Sequence, residues 1–381
     1  MITTGSSSLE LKFDVSINGA QMDRSSIQTV SLELAENMHN IAVMEVAGIP
    51  PQYLLDYLNL PLSIYVSAGA SDYLFNGYIY SMEPVSRTKD GLVNKSPFQQ
   101  TRVVCFGATY VMRGKRSRSW ENYTLPQMAS EIADKYGFTV SVPNDPYVFT
   151  RYVQSEMSDW SALVDAANYL GYRVWATETN IDIWDPFTAL SRYGSRSMYA
   201  LSGNNGSLKS RPGQVIKFTA HAGSATKTTD TLHALVDSDV VTMSLNESTG
   251  YGETIQSLYE DEVAENAVTV DMVEVVLKGR NRKKLPITAH AEVVGDPSIR
   301  PGTVVDLQRY ESGLDGLWIV KAVRHDMFRG SCMSYVDMVR DAVGNDTFTQ
   351  TVQSFPPPLP PSSVLVNNRW RAQTEQVYIY G

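Results

Sequence analysis

Cysteine is nearly missing from this sequence, which has only Cys105 and Cys332 among its 381 residues. The two stand far apart and show no metal-ligand spacing. We therefore expect both to be free, buried thiols of a protein that works in a reducing compartment.

The sequence also lacks a long apolar run, and no stretch is long enough to span a bilayer. Residues Met1 to Ser8 hold neither a basic region nor an apolar run, so we do not expect a signal peptide. Hydrophobic residues still make up 43% of the chain, which is enough for packed domains. A chain of 381 residues exceeds one ordinary core, and we expect about two to four folding units.

Positive charge is in deficit, with 32 Lys and Arg against 41 Asp and Glu and a formal net charge of -9. Tight binding to nucleic acid regardless of its sequence depends on cationic contacts with phosphates. The charge balance therefore disfavours such binding, although nucleic acid can still pass nearby without being held.

Recognisable catalytic and ligand-binding motifs are missing as well. No two of the five histidines have the i, i+4 spacing of a zinc-binding helix; they are His39, His221, His233, His290 and His325. Neither Gly-x-Ser-x-Gly nor a complete phosphate loop occurs. The sequence thus predicts no catalytic residue, no metal site and no cofactor. A pair of carboxylates placed for glycoside cleavage stays open, because such a pair meets only in the folded chain.

Two charged segments have simpler interpretations. The basic residues from Gly279 to Lys284 follow a predicted strand, Val273 to Leu277, and indicate a solvated turn. The acidic segment from Ser257 to Ala267 is typical of a short helix with one wet face.

Alternating apolar and polar residues indicate strands over much of the rest, as in Leu11 to Ile17. One strand pair occurs twice. Pro61 lies sixteen positions before Gly77, and Pro301 lies fifteen positions before Gly316, with a polar turn inside each segment. This similarity suggests a duplicated β unit, which favours a building block over an enzyme with a single site.

A different pattern occupies residues 117 to 190. Thr124 and Gln127 fit a capping box, and Gly137 stands where a left-handed C-cap would end that helix. A second predicted helix begins near Ser158 and ends at Gly171. With the strands that come after it, this segment predicts a small α+β domain.

The C-terminal segment begins with five prolines in the seven residues from Phe355 to Pro361, which predicts a stiff, extended arm. The β-forming pieces beyond it have no core of their own and no neighbouring strand in the sequence, so we expect them to bind a partner's sheet. The predicted partner-binding residues are Val364, Leu365, Val366, Trp370, Val377, Tyr378, Ile379 and Tyr380.

The predicted fold is mainly β with an α+β insertion. Its predicted domains are a first tube-like β-barrel (1–116), the α+β domain (117–190), a connector that helps to complete the barrels (191–267), a second tube-like β-barrel (268–345) and the proline-rich arm (346–381).

Three segments together carry a resemblance to a known family. The segment from Gln154 to Leu163 resembles the Q-S-x-x-x-D-W-x-x-L helix of phage late-control protein D and its relatives, which include the hub part of type VI secretion spike proteins. Thr124 to Phe138 looks like the family's preceding helix, and Gly316 to His325 looks like its closing strand. The resemblance spans residues from about 10 to 345.

This resemblance implies a homotrimeric baseplate hub of a contractile tail, in which two similar β-barrels flank an α+β domain. It implies a sixfold tail tube protein, a threefold spike and other baseplate proteins as partners. It also implies a place in the virion after assembly in the host cytoplasm. Because the chain has no long β-helix, the spike is expected to be a separate polypeptide held by the C-terminal arm.

Two other functions stay open from the sequence. The helix from Thr124 to Tyr136 is similar to the first helix of LysM-type sugar-binding modules, which keeps a cell-wall-binding or peptidoglycan-hydrolysing tail protein in view. A β-rich binding module with no phage connection is the third possibility.

Overall fold

The computed structural model describes residues 11–49, 55–68, 71–85, 88–89, 92–93, 100–186, 189, 195–200, 212–222, 231–236, 239–244, 261–264, 269–282, 285, 287–308, 314–328, 331–340, 363–366 and 369–372. Within the predicted arm, the proline segment from Phe355 to Pro361 and the predicted strand Val377 to Tyr380 lie outside these residues.

Strands form the N-terminal part of the chain, as predicted. They are β1 (Leu11–Ile17), β2 (Ala20–Gln21), β3 (Ile27–Ala35), β4 (Ile41–Ala47), β5 (Pro61–Ala68), β6 (Ser71–Val85), β7 (Thr88–Lys89), β8 (Leu92–Val93) and β9 (Gln100–Gly107). Buried and more exposed residues alternate along β4 and β9 because successive side chains point to opposite faces of the sheet. Two 3-10 turns, Arg24–Ser26 and Ala108–Arg113, join elements in this part.

The middle of the chain is the predicted α+β domain. It contains β10 (Lys115–Thr124), α1 (Leu125–Tyr136), β11 (Thr139–Ser141), β12 (Val148–Ser158), α2 (Asp159–Tyr169), β13 (Arg173–Ala176) and β14 (Asn180–Trp184). The capping box of α1 is confirmed, since Thr124 and Gln127 bond reciprocally and Gly137 is left-handed with φ 76°. Ser158 caps α2 by accepting from the backbone of Ser161.

The C-terminal part returns to strands around one helix. Its elements are β15 (Ser195–Ala200), β16 (Gln214–Ala222), β17 (Thr231–Val236), β18 (Asp239–Ser244), β19 (Asp261–Ala264), α3 (Val270–Arg282), β20 (Ile287–Val294), β21 (Val304–Gln308), β22 (Gly316–Phe328), β23 (Ser331–Arg340), β24 (Ser363–Val366) and β25 (Arg369–Ala372). None of the helices in the described ranges is long and apolar enough to cross a membrane.

Two local predictions in this part were wrong. The predicted strand Val273 to Leu277 lies inside α3, where Val273, Val276 and Leu277 pack into the core of the α+β domain. That packing outweighs the β preference of the valines. The acidic segment predicted to be helical contains β19, which pairs in parallel with β17.

One thirteen-stranded sheet contains strands from the N-terminal and the C-terminal parts of the chain. Its order is β2-β1-β5-β6-β9-β4-β3-β22-β21-β15-β16-β20-β23. Pairing of β22 with β23 closes the last six strands into a barrel. A single hydrophobic core runs through both parts of this sheet. The predicted β-rich fold is thus observed, and its two parts are continuous.

The sheet contains the same five-stranded arrangement twice. The first β unit has the order β3-β4-β9-β6-β5, and the second β unit has the order β16-β20-β23-β22-β21. When the strands of each unit are numbered in chain order, both units have the spatial order one, two, five, four, three. All four pairings in each unit are antiparallel. The topology therefore repeats within the chain.

Bulges repeat at equivalent positions as well. Tyr80 in β6 and Lys321 in β22 are each skipped in the pairing with the fifth strand. Gln28 in β3 and Ile216 in β16 are each skipped in the pairing with the second strand. Bulges change strand direction and twist locally, so their repetition gives the two units the same curvature.

This equivalence corrects the register that residue spacing suggested. Counting from the bulges, Pro61 matches Val304 because they pair with Tyr78 and Ile319, the residues two positions before each bulge. Gly77 then matches Trp318 and not Gly316. The two strand pairs occupy the same place in their β units. The Pro and Gly positions that suggested the duplication are not equivalent.

The two units meet edge to edge along a seam between β3 and β22. Their antiparallel pairing runs from Thr29 opposite Phe328 to Ala35 opposite Ala322. The hydroxyl of Ser31 donates to the Asp326 carboxylate at 2.7 Å across the seam. Because one strand of each unit forms the seam, the orientation between the units is fixed by backbone hydrogen bonds.

Candidate interaction surfaces

The Gln154 to Leu163 segment, on which the family resemblance rests, builds a buried ionic cluster. The side chain of Asp159 is fully buried at the start of α2. Its carboxylate accepts hydrogen bonds from Lys135 Nζ at 2.5 Å, from Tyr136 Oη at 2.8 Å and from Gln154 Nε2 at 3.1 Å. Gln154 also donates to the carbonyl of Met157, which fixes the turn that leads into the helix.

Charge compensation keeps this buried carboxylate ionised. Burial alone would raise the pKa of Asp159, but the hydrogen bonds from Lys135, Gln154 and Tyr136 hold it below its ordinary value. The guanidinium groups of Arg116 and Arg118 add positive charge at 3.7 and 3.6 Å. With its oxygens occupied by these partners, Asp159 is an anchor that joins α1, β12 and α2. The motif residues therefore support the fold of this domain.

A loop of the first β unit attaches the α+β domain. The side chain of Asn40 donates to the carbonyl of Ala176 at 2.8 Å and accepts from the indole of Trp175 at 2.9 Å. Asn37, which has φ 63°, accepts from the backbone of Val174 at 3.0 Å. Two asparagines thus hold strand β13 by its backbone and its indole.

His39 in the same loop contacts the motif's tryptophan. Its ring lies 5.2 Å from that of Trp160, and its Nδ1 is 2.8 Å from the hydroxyl of Thr109. Burial lowers the pKa of His39 to about 4. A neutral imidazole therefore packs between the first β unit and α2.

The seam carries an open groove with a volume of about 460 Å³. Its polar lining residues are Glu33, His290, Glu292, Arg324, Tyr335 and Asp337. They form a ladder across four strands: Arg324 lies over the ring of Tyr335 at 4.5 Å, and His290 Nδ1 lies 2.8 Å from Asp337. Three carboxylates and one guanidinium line the groove together with His39, and Lys217 Nζ lies 3.2 Å from the Glu292 carboxylate.

His325 and the two cysteines have structural positions in the core. His325 Nε2 lies 3.1 Å from the Ile299 carbonyl, so Nε2 carries the proton and Nδ1 accepts from Ser334 at 2.7 Å. Cys105 and Cys332 are free and buried, as predicted, and burial raises the pKa of each thiol to about 12. Within the described ranges, no group of three His, Cys, Asp or Glu side chains is placed to hold a metal ion.

In the basic segment that was predicted to be a solvated turn, residues 279 to 282 form the last turn of α3. Arg282 is buried, its guanidinium lies 2.8 Å from the Asp185 carboxylate, and it donates to the carbonyl of Leu170 at 3.2 Å. The prediction was wrong for this residue because its charge is paired inside the fold.

The predicted partner-binding residues fall into two groups. Val364, Leu365 and Val366 lie in β24, and Trp370 lies in β25 opposite Leu365. The expectation that the first group has no neighbouring strand in the sequence was wrong, since β24 and β25 form an antiparallel hairpin. Val377 to Tyr380 lie outside the described residues, and partner binding by either group stays a prediction.

Solved structures share this arrangement of elements. A tail protein from Neisseria meningitidis MC58 has a TM-score of 0.60 at 12% identity, covering 88% of this chain and 98% of its own. The 43 kDa tail protein of prophage MuSo2 from Shewanella oneidensis has a TM-score of 0.58 at 14% identity, covering 87% and 99%.

This chain has the fold of phage tail proteins. A component of the E. coli type VI secretion system, described as structurally similar to the T4 bacteriophage tail proteins gp27 and gp5, also shares it. Its TM-score is 0.54 at 11% identity, covering 92% of this chain and 81% of its own. No protein-family profile and no curated protein matches the sequence. The tail-protein fold is thus recognised through structure.

Proposed function

We propose that this chain is the structural hub of a phage tail baseplate, a trimeric adaptor between a sixfold tail tube and a threefold spike. The observation that carries the proposal is the internal repeat. Two β units with the same topology and the same bulges lie edge to edge in one chain. The tail-protein fold supports the same role.

The repeat suits a change of symmetry. Three chains with two similar units each present six similar units around a ring, while the ring as a whole keeps threefold symmetry. The tube would meet the six units, and the spike would meet the threefold side. A seam made of backbone hydrogen bonds suits this task because it holds the two units of a chain at one fixed angle.

The C-terminal arm is proposed to bind the spike. A run of prolines is extended and stiff, so the five prolines from Phe355 to Pro361 suit a spacer between the second β unit and the residues that bind the spike. The β24–β25 hairpin consists of two paired strands, and a strand pair can add to the edge of another sheet. Other baseplate proteins complete the proposed set of partners, and the virion tail is the proposed location.

A non-enzymatic role is part of the proposal. The carboxylate of Asp159 is held by three hydrogen bonds inside the α+β domain. Arg282 is paired inside the fold, and His325 is buried with both ring nitrogens in contact with partners. Each of these groups has a structural duty that explains its position.

Two measurements on the purified full-length chain test the proposal. Native mass spectrometry should give a species at three times the 42.3 kDa of one chain, and negative-stain electron microscopy should show a ring with six lobes. A chain that stays monomeric and also forms no ring in assembled tails would contradict the hub. Release of soluble fragments from peptidoglycan would favour the hydrolase instead.

A further inference from the structure

The α+β domain has a concave surface that the proposed hub does not use. It has a volume of about 490 Å³, within the usual range of small-molecule sites. Its aromatic lining consists of Tyr147, Phe149, Tyr152 and Tyr169, and we call this surface the tyrosine groove.

The groove is lined by one strand and one helix. Phe149 and Tyr152 come from β12, while Tyr169 comes from α2. Tyr147 and Phe149 are buried, and Tyr152 and Tyr169 are half-buried. The centres of neighbouring rings are 5.0 to 5.9 Å apart. The shortest of these distances joins Tyr147 and Phe149, and the longest joins Phe149 and Tyr169. The half-buried rings of Tyr152 and Tyr169 present the accessible apolar faces, beside the buried rings of Tyr147 and Phe149.

Hydrogen bonds hold the half-buried rings in place. Tyr152 Oη donates to the Asp165 carboxylate at 2.9 Å and also lies 3.1 Å from the carbonyl of Ala162. The hydroxyl of Tyr147 donates to that of Tyr169 at 3.3 Å. A groove whose walls are fixed before a ligand arrives loses less entropy on binding.

The rim carries polar groups of three kinds. Asp165 and Asn168 lie three residues apart on one face of α2, and Arg151 stands on β12. They offer a carboxylate acceptor, an amide and a guanidinium donor around an aromatic floor. The charges of Arg151 and Asp165 cancel, which disfavours a strongly charged ligand.

We infer that the tyrosine groove binds a neutral glycan. The apolar C–H face of a pyranose ring stacks on tyrosine, and its ring of hydroxyls both donates and accepts hydrogen bonds. The aromatic floor and mixed rim match these two properties together, whereas an apolar peptide side chain would leave the rim unmatched.

Calorimetric titration of the full-length chain with two tetrasaccharides tests this inference. Tetra-N-acetylchitotetraose represents amino-sugar polymers, and cellotetraose represents plain glucans. We expect a dissociation constant on the order of 1 mM for at least one of them. Binding of the chito-oligosaccharide alone would assign the groove to amino sugars, and binding of both would assign it to glucans more broadly.

Variants locate the binding. Arg151→Gln at the exposed rim should weaken it about tenfold through loss of a charged hydrogen bond. Tyr169→Ala should weaken it by at least about tenfold through loss of stacking area. Lys217→Gln, which alters an exposed cation of the second β unit, is the matched control and should bind like the parent. Thermal unfolding shows whether Tyr169→Ala still folds.

Two results would overturn the inference. One is the absence of heat with both tetrasaccharides at about 10 mM, which lies well above the expected dissociation constant. The other is equal affinity of Arg151→Gln, folded Tyr169→Ala and the control. Neither result bears on the trimer, because the mass and ring shape are measured without any glycan.

Discussion

Gly171 and Gly279 meet backbone to backbone where the end of α2 touches α3. A Cβ on Gly279 would lie 2.6 Å from the carbonyl carbon and oxygen of Leu170, and a Cβ on Gly171 would collide with the Gly279 backbone. Gly171 also has φ +76°, a conformation that other residues rarely adopt. The two glycines let α3 pack on the α+β domain at a distance that any side chain would prevent.

Gly279→Ala therefore has the opposite effect to the usual one. In an open helix the change stabilises by about 1 kcal/mol. Here the free energy of unfolding should fall by about 1 to 3 kcal/mol, because the new methyl group has no space. Denaturant unfolding measures it. Gly114→Ala, where a Cβ would meet nothing within 4 Å, is the control. A stabilised Gly279→Ala variant would contradict the close contact.

Asp159→Asn should destabilise the chain by about 3 kcal/mol, because it leaves the partners of a buried carboxylate uncompensated. The depressed pKa of Asp159 means that its contribution is present above the ordinary carboxyl pKa and is lost as the pH falls through the folded value. The difference between parent and variant should thus shrink in acid. Asp134→Asn, on the exposed side of α1, should change stability by less than about 0.5 kcal/mol. Equal effects of the two changes would contradict the anchoring role.

His325 makes stability depend on pH. Burial lowers its pKa from 6.5 to about 4. Between these pH values His325 is therefore protonated in the unfolded chain and neutral in the folded chain. Its contribution is present above pH 6.5 and declines as the pH falls towards 4, by about 1.4 kcal/mol per pH unit. His325→Gln should remove one proton's worth of that slope in urea unfolding between these pH values. An unchanged slope in His325→Gln would refute the assignment.

Deleting residues 355 to 381 tests the arm. The truncated chain should still give the trimer mass, because the deleted residues lie beyond the thirteen-stranded sheet. It should no longer co-purify with the spike protein. Trp370→Ala in the full-length chain is a milder version of the same test. A truncated chain that holds the spike with undiminished affinity would show that the arm does not bind it.

The net charge of -9 predicts weak contact with nucleic acid. Filter binding should retain no double-stranded DNA at about 150 mM salt. A channel that passes DNA gains from this property, since each cationic contact with a phosphate would slow release. Salt-dependent retention at that ionic strength would contradict this prediction.

Local signals in the sequence were reliable where a few neighbouring residues decide the structure. The ends of α1 follow from Thr124, Gln127 and Gly137, which act within one turn of the helix. Helix α3 was missed because its valines favour strands, and only packing against distant residues makes it helical. Met272, Val273, Val276 and Leu277 do share one helical face, so the spacing held a signal that composition obscured.

The candidate surfaces were harder to predict for the same reason. The family resemblance identified Asp159 and Gln154, but their partners Lys135 and Tyr136 lie on another helix. The tyrosine groove is formed by residues of β12 and α2, and no local sequence pattern predicts that these two elements lie side by side. The duplication was visible, although its register was not, because bulges leave no clear mark in the residue pattern.

The seam between β3 and β22 can form only late in the synthesis of this chain. Ser31 and Asp326, which bond across it, are 295 residues apart, so β3 leaves the ribosome long before its partner exists. Contacts of such long range slow folding. Meanwhile the β3 edge presents unpaired backbone groups to any other nascent chain. Folding of the sheet is complete only when the last strands of the second β unit have emerged.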